Sequence, residues 1–239
     1  MSESTLSLES EVSRSLELDP GKSVVLLSGG LDSTTLLYFL KKGEGRDVIA
    51  LGVDYGQRHS KELRAAIEIA AQLDIEYRIA DLRGVNFCLM GGSQTDLSIP
   101  VPKGHYADPS MQQTVVPNRN MILLSLAIGL AISIGRKEVA YAAHAGDHPI
   151  YPDCRPEFIN HMGAAAGLSW YEPIRLRAPF QGMTKADIVR LGHTLDVPWE
   201  LTYSCYAGGE IHCGACGTDV ERREAFQLAG VPDPTKYAE

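Results

Sequence analysis

Short apolar runs alternate with helical repeats along most of this chain. Ser23 to Leu27 (SVVLL) and Val48 to Val53 are β-branched and uninterrupted, the pattern of strands buried on both faces of a parallel sheet. Between them, Thr34 to Lys42 carries a helical repeat closed by Gly43. Lys61 to Leu73 sets Leu63, Ala66, Ile67, Ala70 and Leu73 on one helical face, and Glu76 to Ala80 reads as a shorter strand. Met121 to Ile134 is apolar all round and reads as a buried helix leading into a strand over Glu138 to Ala142. Thr184 and Asp187 have the spacing of a capping box, opening a helix that runs through Leu195. A last helix is expected over Val220 to Ala229, stopped by Gly230 and Pro232. No repeat at a longer period is visible.

Strands that alternate with helices predict an α/β fold, a doubly wound, mostly parallel sheet covered on both faces. Its ligand is expected beyond the carboxyl ends of the strands. Residues 21–200 read as the main domain and 201–239 as a small C-terminal cysteine-bearing segment with a helix. Residues 1–20, rich in Ser and Glu with scattered Leu, read as a disordered tail or as a short amphipathic docking segment. The Gly/Pro-rich stretch 91–117 is too long for an ordinary connection and reads as a functional or mobile loop.

Composition narrows the classes. The longest apolar stretch is shorter than the roughly 18 residues of a membrane span, and no secretion signal precedes the first strand. A cytoplasmic protein is expected. The net charge of −8 speaks against a nucleic-acid coat protein, since neutralising phosphates needs a basic surface. Five cysteines without a secretion signal suggest metal or catalytic use rather than a disulfide framework.

The first strand ends in Ser28-Gly29-Gly30-Leu31-Asp32-Ser33 and runs into a helix. Glycines there let backbone N–H groups approach phosphate oxygens, and the helix N-terminus adds its positive end. The Gly-Lys-Ser/Thr of a Walker loop is missing, as is the Gly-x-Gly-x-x-Gly of a dinucleotide fold. The segment resembles the signature of the N-type ATP pyrophosphatases, whose fold is adenine nucleotide alpha hydrolase-like. That resemblance implies hydroxyl donors from Ser28 and Ser33, and an Asp32 that helps hold magnesium on the phosphates.

Further segments follow the later strands. They are Asp54-Tyr55-Gly56-Gln57-Arg58-His59, Val116-Pro117-Asn118-Arg119-Asn120, His144-Ala145-Gly146-Asp147-His148, Tyr151 to Phe158, Gly182-Met183-Thr184-Lys185, and Cys205 with Cys213-Gly214-Ala215-Cys216. Together they resemble the 7-cyano-7-deazaguanine synthase family, from Lys22 to Tyr237. The resemblance implies adenylation of 7-carboxy-7-deazaguanine by ATP, attack by ammonia to give the amide, and a second activation that yields the nitrile. It also implies a homodimer.

Both activations generate phosphoanion charge, for which Lys185 and Arg119 are the expected cations. Asp54, Tyr55 and Gln57 are placed near the nucleotide, and His59, His144 and Asp147 near the second substrate. Asp153 or Glu157 could accept from guanine-like N–H groups, and Arg155 could meet the carboxylate in bidentate fashion. Each has an ordinary alternative as a rim, turn or cap residue.

Cys205, Cys213 and Cys216 are spaced as zinc ligands. The family completes its tetrahedron with a fourth cysteine where this chain has Asp219. Asp219 as an oxygen ligand, His212 as a substitute, water in the fourth position and an empty thiol site all remain open. Cys88 and Cys154 read as free thiols. The changed residue also opens a second functional reading. In it the activated acid passes to another amine, such as that of a peptide or protein.

Overall fold

The structure is a computed structural model and describes residues 21–238; the expectation for the tail lies outside it. Five strands form one sheet, β1 (Lys22–Leu26), β2 (Asp47–Asp54), β3 (Tyr77–Asp81), β4 (Glu138–Ala140) and β5 (Arg175–Arg177). Their order is β3-β2-β1-β4-β5, and every pairing is parallel. Val24 lies opposite Ile49 on one side and Val139 on the other. Because alternate side chains point to opposite faces, Val24 and Val25 enter different cores although both are fully buried.

One face is covered by α1 (Leu31–Tyr38), α2 (Lys61–Gln72), α5 (Lys185–Thr194) and α6 (Gly217–Ala229). The other is covered by α3 (Arg119–Ser133) and α4 (Pro156–Gly167). The chain moves outward from β1 to β3, then returns to place β4 on the other side of β1. The carboxyl ends of β1 and β4 therefore flank a topological switch point, where an open α/β sheet leaves a crevice.

The periodic segments are found close to their expected bounds. α1 begins earlier than expected because Gly30 already serves as its N-cap, and its last turn widens into a π turn over Phe39–Gly43. The capping box forms as read, with Thr184 Oγ1 accepting from the Asp187 N–H at 3.2 Å and Asp187 accepting from the Thr184 N–H at 3.0 Å. α4 and β5 have no counterpart in the sequence reading. β5 is a three-residue edge strand of sequence RLR, too short and too polar to show alternation.

The long loop is anchored rather than loose. Arg58 donates to the carbonyls of Ser93, Asp96 and Ile99 at 2.9, 3.1 and 2.9 Å, so one guanidinium satisfies three backbone acceptors. Met111 of the same loop is fully buried. The C-terminal segment packs into the α1/α2 core through Cys205, Cys216, Ala225 and Phe226. Among the described residues no helix is long and apolar enough to cross a membrane.

Candidate active site and metal centre

The turn after β1 is shaped by backbone crowding. Gly29 has φ +92°, and a Cβ there would run into the Glu62 carbonyl and the Ala66 amide of α2. Only glycine lets the loop pass this close. Ser28 and Ser33 lie 3.1 Å apart through their hydroxyls, and Ser33 Oγ accepts the Ser28 N–H at 3.3 Å. Gly30 caps α1 without any side-chain bond, so the first-turn N–H groups have no side-chain acceptor. That is the environment in which a phosphate is held.

Charged side chains from three other elements meet beside this loop. Lys185 Nζ, at the start of α5, is 2.9 Å from Asp32 Oδ2 and 2.9 Å from Glu221 Oε2 on α6. His144 Nε2 lies 3.4 Å from the same Nζ and 3.5 Å from Asp147, which accepts from the Tyr106 hydroxyl at 3.0 Å. Burial alone would raise the Asp32 pKa, but Lys185 and His144 hold it below its ordinary 3.8. Burial would likewise depress Lys185, yet Asp32, Glu221 and Asp147 outweigh it and raise its pKa above 10.5. Glu221 goes the other way, raised by its burial despite Lys185. Asp32 Oδ1 is buried with no hydrogen-bond partner among the described residues. An oxygen so placed fits a cation that arrives with a nucleotide.

From this corner a cleft of about 230 Å³ extends along the strand ends to Arg119, at the start of α3. Arg119 donates from Nε to Asn120 Oδ1 at 3.3 Å, and burial that would lower its pKa is outweighed by Tyr55, Tyr206 and Asp153. Burial pushes the Tyr55 hydroxyl up to about 12. Leu26, Leu51, Val53 and Leu123 give apolar walls, with Tyr151, Tyr203 and Tyr206 among the other lining residues. The cleft is thus lined by a glycine loop, an ammonium, a guanidinium, and aromatic and aliphatic side chains.

The structure brings Ser28, Gly30, Leu31, Asp32, Ser33, Tyr55, His59, Arg119, Asp147 and Lys185 to this cleft, with His144 against Lys185. Gly29 shapes the loop from behind. Asp54 and Gln57 do not line it. Asp54 accepts from the Gly56 N–H, and Gln57 braces the turn between the Tyr55 N–H and the Val53 carbonyl.

Asp153 is turned to α3, where its carboxylate accepts the Asn120 N–H at 2.9 Å as a helix cap. Arg155 and Glu157 are exposed and outside the cleft, and Arg155 donates to the His148 carbonyl at 2.9 Å. The Tyr-Pro-Asp-Cys-Arg segment is a helix entry whose polar groups are largely used on backbone. Tyr151, the first residue of a segment the sequence singles out, lines the cleft, whereas Glu62, Tyr106, Tyr203, Tyr206 and Glu221 are not among the site residues read from the sequence. These five stand singly in loops and helices with no motif spacing, so only the fold gathers them.

Behind the loop, Cys205, Cys213, Cys216 and Asp219 place one ligand atom each within 4.8 Å of one another. A tetrahedron with bonds of about 2.3 Å has edges of about 3.8 Å, so a small contraction onto zinc suffices. The cage is oriented by backbone. Cys213 Sγ accepts from the Ala215 and Cys216 N–H groups at 3.5 and 3.3 Å, and Cys205 Sγ accepts from the Cys213 N–H at 3.2 Å. Such N–H bonds stabilise thiolate, the form that binds metal. Burial works against the Asp219 carboxylate, but His212 and the Gly214 N–H hold its pKa at about 2. Three sulfurs and an ionised oxygen fit zinc. His212 faces the carboxylate rather than the cage centre. Cys88 and Cys154 are free thiols apart from the cage.

Comparison with known proteins follows the same lines. A family model described as "Queuosine biosynthesis protein QueC" matches residues 22–230. The 7-cyano-7-deazaguanine synthase of Hahella chejuensis is 50% identical over 220 residues, covering 92% of this chain and 94% of that one. The protein of the same name from Archaeoglobus fulgidus is 50% identical, covering 89% of each chain. Among solved structures, the U34-tRNA thiolase NcsA from Methanococcus maripaludis, with its 4Fe–4S cluster, superposes with TM-score 0.50 at 14% identity. The match covers 88% of this chain and 65% of that one, a likeness of fold alone. A family model over most of the chain and two relatives at half identity over nearly their full length agree with the glycine loop and the cysteine cluster: the chain belongs to the 7-cyano-7-deazaguanine synthase (QueC) family.

Proposed function

We propose that this protein is an ATP-dependent carbon–nitrogen ligase that converts 7-carboxy-7-deazaguanine to 7-cyano-7-deazaguanine. The observation that carries this reading is one cleft lined by the loop after β1, Lys185 and Arg119. ATP lies with its phosphates on the first turn of α1, Ser28 and Ser33 donating and Lys185 neutralising charge that grows as pyrophosphate leaves. Magnesium comes with the nucleotide, and Asp32 Oδ1 faces it.

The deazaguanine lies against the aromatic and aliphatic side chains of the cleft, its carboxylate on Arg119. Arg119 takes the part expected of Arg155, because it is the guanidinium inside the cleft. The carboxylate oxygen attacks the α-phosphorus and pyrophosphate leaves. Ammonia then displaces AMP with loss of a proton, giving the amide. The amide oxygen then attacks the α-phosphorus of a second ATP and pyrophosphate leaves; loss of AMP and of the nitrogen's protons from this adenylate gives the nitrile. Holding the acid and ATP in one walled cleft supplies orientation and keeps water from the acyl adenylate.

Cys205, Cys213, Cys216 and Asp219 would hold zinc, which would lock the segment that carries α6. Asp219 supports a second reading, in which the acyl adenylate passes to a different amine and the reaction stops at an amide. A time course of acid, amide and nitrile by mass spectrometry, with ammonium as the sole amine, tests both. Nitrile formed with AMP and pyrophosphate in step is expected. ADP and phosphate as the only nucleotide products would overturn the ligase reading, and stalled adenylate would favour the second.

A further inference from the structure

A carboxylate in a cysteine's place brings a second oxygen that a thiolate lacks. In a site where Asp219 is fully buried, that oxygen must be hydrogen-bonded or it destabilises the fold. Its surroundings are specific. Asp219 Oδ2 accepts from the Gly214 N–H at 2.9 Å and from the Cys213 thiol at 3.3 Å, so this oxygen faces the cysteines. Oδ1 lies 2.7 Å from His212 Nδ1.

The imidazole is itself clamped. It packs between the rings of Tyr203 and Tyr237, with centroids 5.0 and 5.8 Å away, and its backbone carbonyl accepts from the Ala238 N–H at 2.7 Å. His212 also precedes Cys213, so ligation by both would bend the chain sharply, and its short bond to the carboxylate gives the ring a different use.

We infer that His212 is a positioning residue for the metal centre, donating from Nδ1 to Asp219 Oδ1 so that Oδ2 alone is presented to the metal as a one-oxygen replacement for the fourth cysteine. This rests on the zinc reading above. A partner on the free oxygen of a ligating carboxylate fixes its orientation, and losing such partners typically weakens metal binding by about 10–100-fold.

The test separates the N–H from the ring. His212→Phe keeps an aromatic ring between the two tyrosines and removes the donor, whereas His212→Asn keeps an N–H near the Nδ1 position and removes the ring. Zinc content is measured on the full chain as purified, then affinity is measured by competition with a chromophoric chelator. Both substitutions are repeated on Asp219→Cys, and circular dichroism reports the fold. His212→Phe should weaken zinc by about 10–100-fold in the parent, His212→Asn by well under that, and His212→Phe should have little effect beside Asp219→Cys. A loss that follows the ring rather than the N–H, equal losses in both backgrounds, or no loss overturns the assignment of His212. A zinc-free parent overturns the metal reading together with it.

Discussion

Lys185 holds two carboxylates that would otherwise repel each other, Asp32 on the loop and Glu221 on α6. Removing the ammonium takes from both acids the cation they share and, on the proposed function, the charge that a departing pyrophosphate would need. Lys185→Met and Asp32→Ala should each lower turnover by several orders of magnitude while circular dichroism stays native. Normal turnover in either would remove that residue from the chemistry. The pair also predicts a pH response. Asp32 stays below its ordinary 3.8 and Lys185 above 10.5, so both remain ionised through the neutral range.

A depressed carboxylate stabilises above its unfolded pKa and loses that contribution only as pH falls through the lower folded value. A raised lysine loses its contribution only at high pH. No limb of the rate profile between about pH 5 and 9 should therefore disappear on Asp32→Asn. In the same cleft, Arg119→Lys keeps charge and gives up the planar fork. The Michaelis constant for the acid should rise about tenfold to hundredfold, the equivalent of roughly 1.5–3 kcal/mol, with ATP binding little changed. Equal losses for both ligands would mark Arg119 as structural.

Elements differ in how plainly they were written in the chain. β1, β2, α2 and α3 owe their form to burial, and burial prints a period or an unbroken apolar run. α4 and β5 lie toward the sheet edge, where half-exposed sequence such as RLR carries no such print. The loop from Gly91 to Pro117 is visible as a breaker-rich stretch, but its anchoring by Arg58 is not, since a single arginine has no spacing to betray it. Caps are the exception among polar features, because Thr184 and Asp187 act within one turn. Thr184→Ala removes the acceptor that fixes the start of α5, next to Lys185. It should cost about 0.5–2 kcal/mol in a denaturant titration. A larger loss in turnover than the stability change explains would show that the cap also aims Lys185, and unchanged turnover would confine it to the helix.

Across the whole molecule, the Cys/Asp cluster and the loop after β1 are joined by α6. Cys216 caps that helix, Asp219 lies in its first turn, and Glu221 reaches Lys185 from the next residues. Arg222, fully buried, ties the same helix to Trp199 and Thr202 through bonds of 3.1 and 2.8 Å. The cysteine spacing and the loop motif were each legible alone, whereas this link was not, because Glu221 and Lys185 meet only after folding. Metal removal is therefore expected to act on both stability and catalysis. Free zinc at 100–1,000 times its dissociation constant stabilises by about 2.7–4.1 kcal/mol, which in a chain of this size is roughly 5–15 °C in melting temperature. Stripping with a zinc chelator should lower the melting point by that order and abolish turnover, and zinc should restore both. Asp219→Cys should lose metal more slowly, thiolate being the softer ligand. Glu221→Gln, which leaves the cage intact, should keep the melting point near the parent's while turnover falls, because Lys185 loses one of the two charges that hold it. If the stripped protein melts lower yet turns over normally, α6 does not carry the coupling, and Glu221→Gln should then be as active as the parent.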